Sequence, residues 1–168
     1  MNQNKKNIVS IITISRLIGI PFLLVINNDY YLLAAAAILF FTDFLDGYFA
    51  RKWEVESLSG ALLDLVADKS LVITLLLYGV VDNKIGIVLF ILIAFREIYS
   101  MVIRFKGLKQ KKEMISASLI GKSKTALQFI AILFMIINLD GYKLLLWISV
   151  GLSYYSFIGY LKQYKGVQ

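Results

Sequence analysis

Four aspartates, Asp43, Asp46, Asp64 and Asp68, stand in two otherwise apolar stretches, Leu32 to Ala50 and Leu58 to Val81. At about 100° per residue, positions 43, 46, 47 and 50 share one narrow helical face, and 60, 64 and 68 share another. The short segment Arg51 to Ser57 joins the two stretches, so they should form an antiparallel hairpin whose acidic faces meet. Carboxylates brought close repel one another unless a cation lies between them. The chain contains no histidine and no cysteine, so only oxygen donors are on offer. Hard ions, Mg²⁺ or Mn²⁺, suit such donors, and four carboxylates suffice for two of them. Two ions can clamp a pyrophosphate and stabilise the attacking and leaving oxygens of a displacement. Plainer roles for the same acids are polar contacts between helices, to Arg51 or Lys69, or steps of a cation or proton pathway. Gly47, Ala50 and Gly60 on the same faces would admit close helix packing or close approach of a ligand.

The elements that must hold these residues are dictated by composition. Hydrophobic residues make up 59% of the 168 positions, with a mean hydropathy of +0.74, which points to the bilayer as solvent. Apolar stretches run from Ile8 to Ile26, Tyr30 to Ala50, Leu58 to Val81, Ile85 to Ile103, Thr125 to Leu139 and Leu144 to Leu161, each long enough to read as a span. The expected fold is therefore an all-α integral membrane bundle of six transmembrane helices. With one proline, Pro21, and no Ser/Gly-rich linker, a single domain over 1–168 is expected.

The net charge of +7 is not spread evenly. Outside the spans, every lysine and arginine except Lys84 and Lys143 falls on the side that holds both termini, which the positive-inside rule assigns to the cytoplasm. That distribution suits a membrane surface rather than nucleic acid. Lys5 and Lys6 ahead of an apolar run resemble a leader, but no small-residue cleavage site follows, so a retained helix is expected. The absence of cysteine excludes disulfides, thiolate catalysis and thiolate-bound metal; the absence of histidine argues against zinc and imidazole chemistry.

The string Asp43-x2-Asp46-Gly47-x2-Ala50-Arg51-x8-Gly60-x3-Asp64-x3-Asp68 resembles the signature of the CDP-alcohol phosphatidyltransferase family. Further likeness lies in Thr13 to Arg16, in Arg96-Glu97 with Arg104, in Gly121 to Thr125, and in Tyr164 to Gly166. The pattern departs from the family at Leu65, where proline is usual, and around Ser10, where asparagine is common. The resemblance implies a bacterial cell-membrane enzyme, its active site toward the cytoplasm, that moves a phosphatidyl group from CDP-diacylglycerol to an alcohol and releases CMP. The nearest branch uses sn-glycerol 3-phosphate as acceptor; branches using phosphatidylglycerol or an inositol-type alcohol are the alternatives.

By the same resemblance, Asp43, Asp46, Asp64 and Asp68 are metal ligands and Asp68 is also the base for the acceptor hydroxyl. Asp46, Gly47, Ala50, Arg51 and Gly60 would shape the nucleotide site. Arg96, Arg104, Lys122 and Lys124 are candidates for the acceptor's phosphate, since arginine offers a bidentate fork and lysine a point charge. For Arg96 the adjacent Glu97 offers a plain alternative, an interhelical charge pair. Thr13 and Arg16 are candidate contacts from the first helix, although Arg16 could instead extend to the interface. Small residues such as Ser149 and Ser153 would suit the interface of a homodimer within the membrane lipids.

Overall fold

The computed structural model describes the backbone of residues 2–52, 58–111 and 119–165, and side chains at 11–43, 60, 62–103, 105 and 124–155. All described elements are helical: α1 (Asn2–Gly19), a 3₁₀ turn (Ile20–Val25), α2 (Asp29–Lys52), α3 (Leu58–Val81), α4 (Ile87–Lys111), α5 (Leu119–Ile136) and α6 (Tyr142–Lys165). The contacts divide the chain into two compact units, residues 1–78 and 79–168, with the boundary inside the last turns of α3.

In the first unit, α1 and α2 pack together and the 3₁₀ turn lies against both. The first helix was expected to run unbroken to Ile26, but α-geometry stops at Gly19. Pro21 is the reason: it has no N–H to donate, and its ring would collide with the carbonyl one turn back. The tighter turn that follows buries Ile20 and Leu23. Asn28 then starts α2 by accepting hydrogen bonds at Oδ1 from the backbone N–H groups of Tyr30 (3.0 Å) and Tyr31 (3.2 Å), which satisfies donors that the first turn leaves without partners.

Two links fix the register of α2 against α3. The hydroxyl of Tyr78 donates to Asp29 Oδ1 at 2.6 Å, while Asp43 and Asp64 both accept from Arg16. From 29 to 43 is fourteen residues forward along α2, and from 78 to 64 is fourteen back along α3, as an antiparallel pair in constant register requires. At 1.5 Å per residue the Tyr78 link lies about 21 Å from the Arg16 cluster. These links have the spacing of an antiparallel pair, and the expected turn, residues 53–57, lies outside the described residues.

In the second unit, α6 packs on both α4 and α5. Lys84 closes the end of α5: its Nζ donates to the Ile136 carbonyl at 2.7 Å, and its own carbonyl accepts from the Tyr142 hydroxyl at 2.8 Å. Gly79 makes a close approach possible here, since a Cβ at this position would stand 2.5 Å from Met135 Sδ.

α4 exposes an apolar side and buries its charged residues, together with Leu89, Ile93, Ala94 and Ile103. Val88, Ile91, Phe95, Ile98, Val102 and Phe105, spaced alternately three and four apart, are exposed along one side, while Arg96, Glu97 and Ser100 are buried. The basic segment expected as a connection from Lys106 to Lys124 is largely helical, because α4 continues to Lys111 and α5 begins at Leu119. Among the described residues no helix is long and apolar enough to cross a membrane. The all-helical expectation is met, while the apolar stretches read as spans include charged residues: α3 carries Asp64, Asp68 and Lys69, and α4 carries Arg96, Glu97 and Arg104.

Candidate active site

Asp43 sits on α2 and Asp64 and Asp68 on α3, so the hairpin register controls which carboxylates are level. Arg16 projects from the last turn of α1, three residues after buried Thr13, and is itself only 1% exposed. Its Nη1 donates to Asp43 Oδ1 and its Nη2 to Asp64 Oδ1 at 2.8 Å. One planar guanidinium thereby ties three helices at a single point, a task its fixed fork performs better than a lysine could. Arg16 does not extend to an interface: it is buried and paired with Asp43 and Asp64. Nothing in the spacing of the aspartates announces this partner, and the only signal was an arginine in an apolar helix.

Asp68, one turn beyond Asp64, is paired through Oδ2 with Lys69 Nζ at 2.8 Å. That pair joins neighbours on α3 and is not the contact between helices that the sequence allowed for at Lys69. Gly60, half-buried, lies one turn before Asp64 on α3. Asp46, Gly47, Ala50 and Arg51 lie on α2, and the register that levels Asp43 with Asp64 carries Gly47 level with Gly60. The side chains of Asp46, Ala50 and Arg51 are outside the described residues.

Among the described residues no three acidic side chains gather closely enough to hold a metal ion. The donors nevertheless fit a hard divalent cation. Asp43 and Asp64 already converge on one shared positive charge, both keep part of their surface open, and the chain offers neither nitrogen nor sulfur ligands from histidine or cysteine.

The remaining candidates lie in the second unit. Arg96 and Lys124 are buried, on α4 and α5, and both meet the carboxylate of Glu97: Arg96 Nη1 at 3.2 Å from Oε1, and Lys124 Nζ on the same oxygen. Arg96 Nε also donates to the Ser153 carbonyl on α6 at 3.3 Å. The Arg96–Glu97 pair lies within α4, so it is not the interhelical pair considered for Arg96; the pair that crosses between helices is that of Glu97 with Lys124. Arg104 lies on α4 and Lys122 on α5, with side chains outside the described residues.

The sequence model for CDP-alcohol phosphatidyltransferases matches residues 6–155. The chain belongs to the CDP-alcohol phosphatidyltransferase family. It is an enzyme of that class, and the match runs through both compact units. Over 177 aligned positions it is 33% identical to the CDP-diacylglycerol–glycerol-3-phosphate 3-phosphatidyltransferase of Haemophilus influenzae, covering 96% of this chain and 95% of that protein. A protein of the same name from Rickettsia bellii is 27% identical, with 95% and 96% covered. A relative from Arabidopsis thaliana, the second protein of that name there, is 34% identical over 73% of this chain and 61% of its own length.

Proposed function

We propose that this phosphatidyltransferase is a phosphatidylglycerophosphate synthase, which joins CDP-diacylglycerol to sn-glycerol 3-phosphate and releases CMP. The convergence of Asp43 and Asp64 on one cation, within the family's aspartate pattern, carries the chemical half of the reading. The acceptor is supported by relatives of that printed name that match over nearly their whole length.

Asp43, Asp46, Asp64 and Asp68 would hold Mg²⁺ or Mn²⁺, two ions in this reading, and the metal would neutralise pyrophosphate charge. Asp68 accepts the proton of the acceptor hydroxyl, whose oxygen forms a bond to the phosphatidyl phosphorus. The bond from that phosphorus to the bridging oxygen breaks, CMP leaves with the electron pair, and the proton passes from Asp68 to solvent. Gly47, Ala50, Arg51 and Gly60 shape the nucleotide site; Arg96, Arg104, Lys122 and Lys124 are assigned to the acceptor's phosphate.

We also place the protein in the bacterial cell membrane, with both termini and the aspartates toward the cytoplasm. Support comes from the inverted polarity of α4, because a helix that exposes Val88, Phe95 and Val102 while burying Arg96 and Glu97 suits a solvent of hydrocarbon. Protease accessibility in sealed inverted vesicles tests the orientation: cleavage between α4 and α5 is expected only where the cytoplasmic face is outside.

The deciding assay is CMP release by purified protein given CDP-diacylglycerol, Mg²⁺ or Mn²⁺, and a panel of acceptors. Glycerol 3-phosphate should be the best substrate. Preference for phosphatidylglycerol would make the enzyme a cardiolipin synthase. A cation or proton transporter, which would pass ions in proteoliposomes and release no CMP, is disfavoured because Asp43 and Asp64 share one level instead of marking a path in depth.

A further inference from the structure

Glu97 is the single acidic residue in α4, α5 and α6, and at 1% exposure it is among the most deeply buried side chains of the second unit. An unpaired carboxylate there would be costly, so its partners define its purpose. Two of them are cations from different helices, Arg96 on its own α4 and Lys124 on α5, and these two reach the same oxygen, Oε1.

For Arg96 the consequence is directional. Nη1 is held by Glu97 and Nε by the Ser153 carbonyl on α6, which fixes the plane of the guanidinium from two sides. Nη2 makes no hydrogen bond among the described residues, so the anchored fork keeps one arm for another acceptor. For Lys124, a four-carbon stem with many rotamers is reduced to one position by an ion pair with a buried acid. Without Glu97, no acid on these three helices could balance the two cations.

We propose that Glu97 is a positioning residue for recognition of the acceptor's phosphate, presenting Arg96 and Lys124 as one preorganised, doubly cationic clamp. It acts on the acceptor through those two side chains and touches no reacting atom. This rests on the assignment of Arg96 and Lys124 to the acceptor phosphate. A phosphate oxygen bound there meets donors already fixed, so ordering two long side chains does not count against affinity.

The test is steady-state kinetics on the full chain, varying glycerol 3-phosphate and CDP-diacylglycerol in turn, together with the thermal unfolding midpoint. Glu97→Gln keeps the shape and removes the charge; the KM for glycerol 3-phosphate should rise about tenfold, as when a supporting partner of a ligand is lost, with KM for CDP-diacylglycerol and kcat nearly unchanged. Glu97→Asp, which keeps the charge one methylene short, should fall between the wild type and Glu97→Gln, and carries the same readout should Glu97→Gln not fold. Arg96→Gln is the reference and should also raise the acceptor KM. If Arg96→Gln raises it and the Glu97 variants do not, Glu97 is a structural counter-ion only and the proposal fails alone. If Arg96→Gln leaves the acceptor KM unchanged, the phosphate assignment fails and takes the proposal with it. Equal rises in both KM values, or a lowered unfolding midpoint with neither KM changed, would likewise overturn it.

Discussion

Asp43 on α2 and Asp64 on α3 share one guanidinium, that of Arg16 on α1. Two carboxylates on adjacent helices would otherwise face each other as like charges, so before any metal binds the pair depends on this arginine. Arg16→Gln should destabilise the metal-free protein by about 1–3 kcal/mol, below the full cost of breaking a buried pair because Asp64 is half open to its surroundings. Millimolar Mg²⁺ or Mn²⁺ should restore much of the loss by supplying the missing charge. Unfolding midpoints in chelator and in metal provide the comparison; a loss that metal leaves untouched would mean Arg16 stabilises the helices for some other reason.

The aspartates should separate by function. Asp68→Asn should lower turnover by about 10²–10⁴-fold, the range for loss of a general base, while nucleotide binding persists, because an amide cannot take the hydroxyl proton but still presents one oxygen. Asp43→Asn and Asp46→Asn should weaken metal binding first, and added Mn²⁺ or Mg²⁺ should recover part of their activity. Metal titrations of CMP release distinguish the two behaviours. Full rescue of Asp68→Asn with no rescue of the others would invert the assignment.

Tyr78→Phe offers a control at the far end of the same hairpin. It removes the 2.6 Å hydrogen bond to Asp29 and should cost about 0.5–1.5 kcal/mol of stability. Because the link lies about 21 Å from Arg16, kcat and both KM values should be unchanged in the folded fraction. A large fall in kcat would show that the outer link sets the register of the aspartates.

Gly79→Ala tests the close approach to Met135. A Cβ 2.5 Å from a fully buried sulfur forces the methionine to move, and overpacking of this kind costs about 1–3 kcal/mol. Adding Met135→Leu, which removes the long thioether, should return part of the loss. If the double substitution is no more stable than Gly79→Ala alone, the contact is not what excludes the side chain.

The antiparallel relation of α2 and α3 was legible because aspartates three and four apart on neighbouring apolar helices admit few arrangements. Arg16 was legible as unusual but not as the partner of Asp43 and Asp64, since its pairing depends on how α1 lies against both helices. Pro21 marked the break after Gly19 plainly, yet continuous hydropathy favoured a helix to Ile26. The basic residues beyond Ile103 looked like a connection, but Lys, Gln and Leu are good helix formers, and charge alone does not end a helix. Glu97 was visible as a neighbour of Arg96; that it also holds Lys124 could be learned only once α5 was placed beside α4.

The inverted polarity of α4 also reverses the pattern of change the helix can accept. In a water-soluble enzyme the outward side takes almost any polar residue and the interior is selective for apolar shape. With the proposed hydrocarbon solvent around α4, Val88, Ile91, Phe95, Ile98, Val102 and Phe105 should exchange freely among aliphatic and aromatic types and reject charge. Arg96, Glu97 and Ser100 should accept few substitutions, Glu97 tolerating aspartate or glutamine better than any apolar residue. A saturation library of this one helix, selected for growth on its lipid product, would therefore show its greatest diversity in greasy letters and its strictest constraint in polar ones.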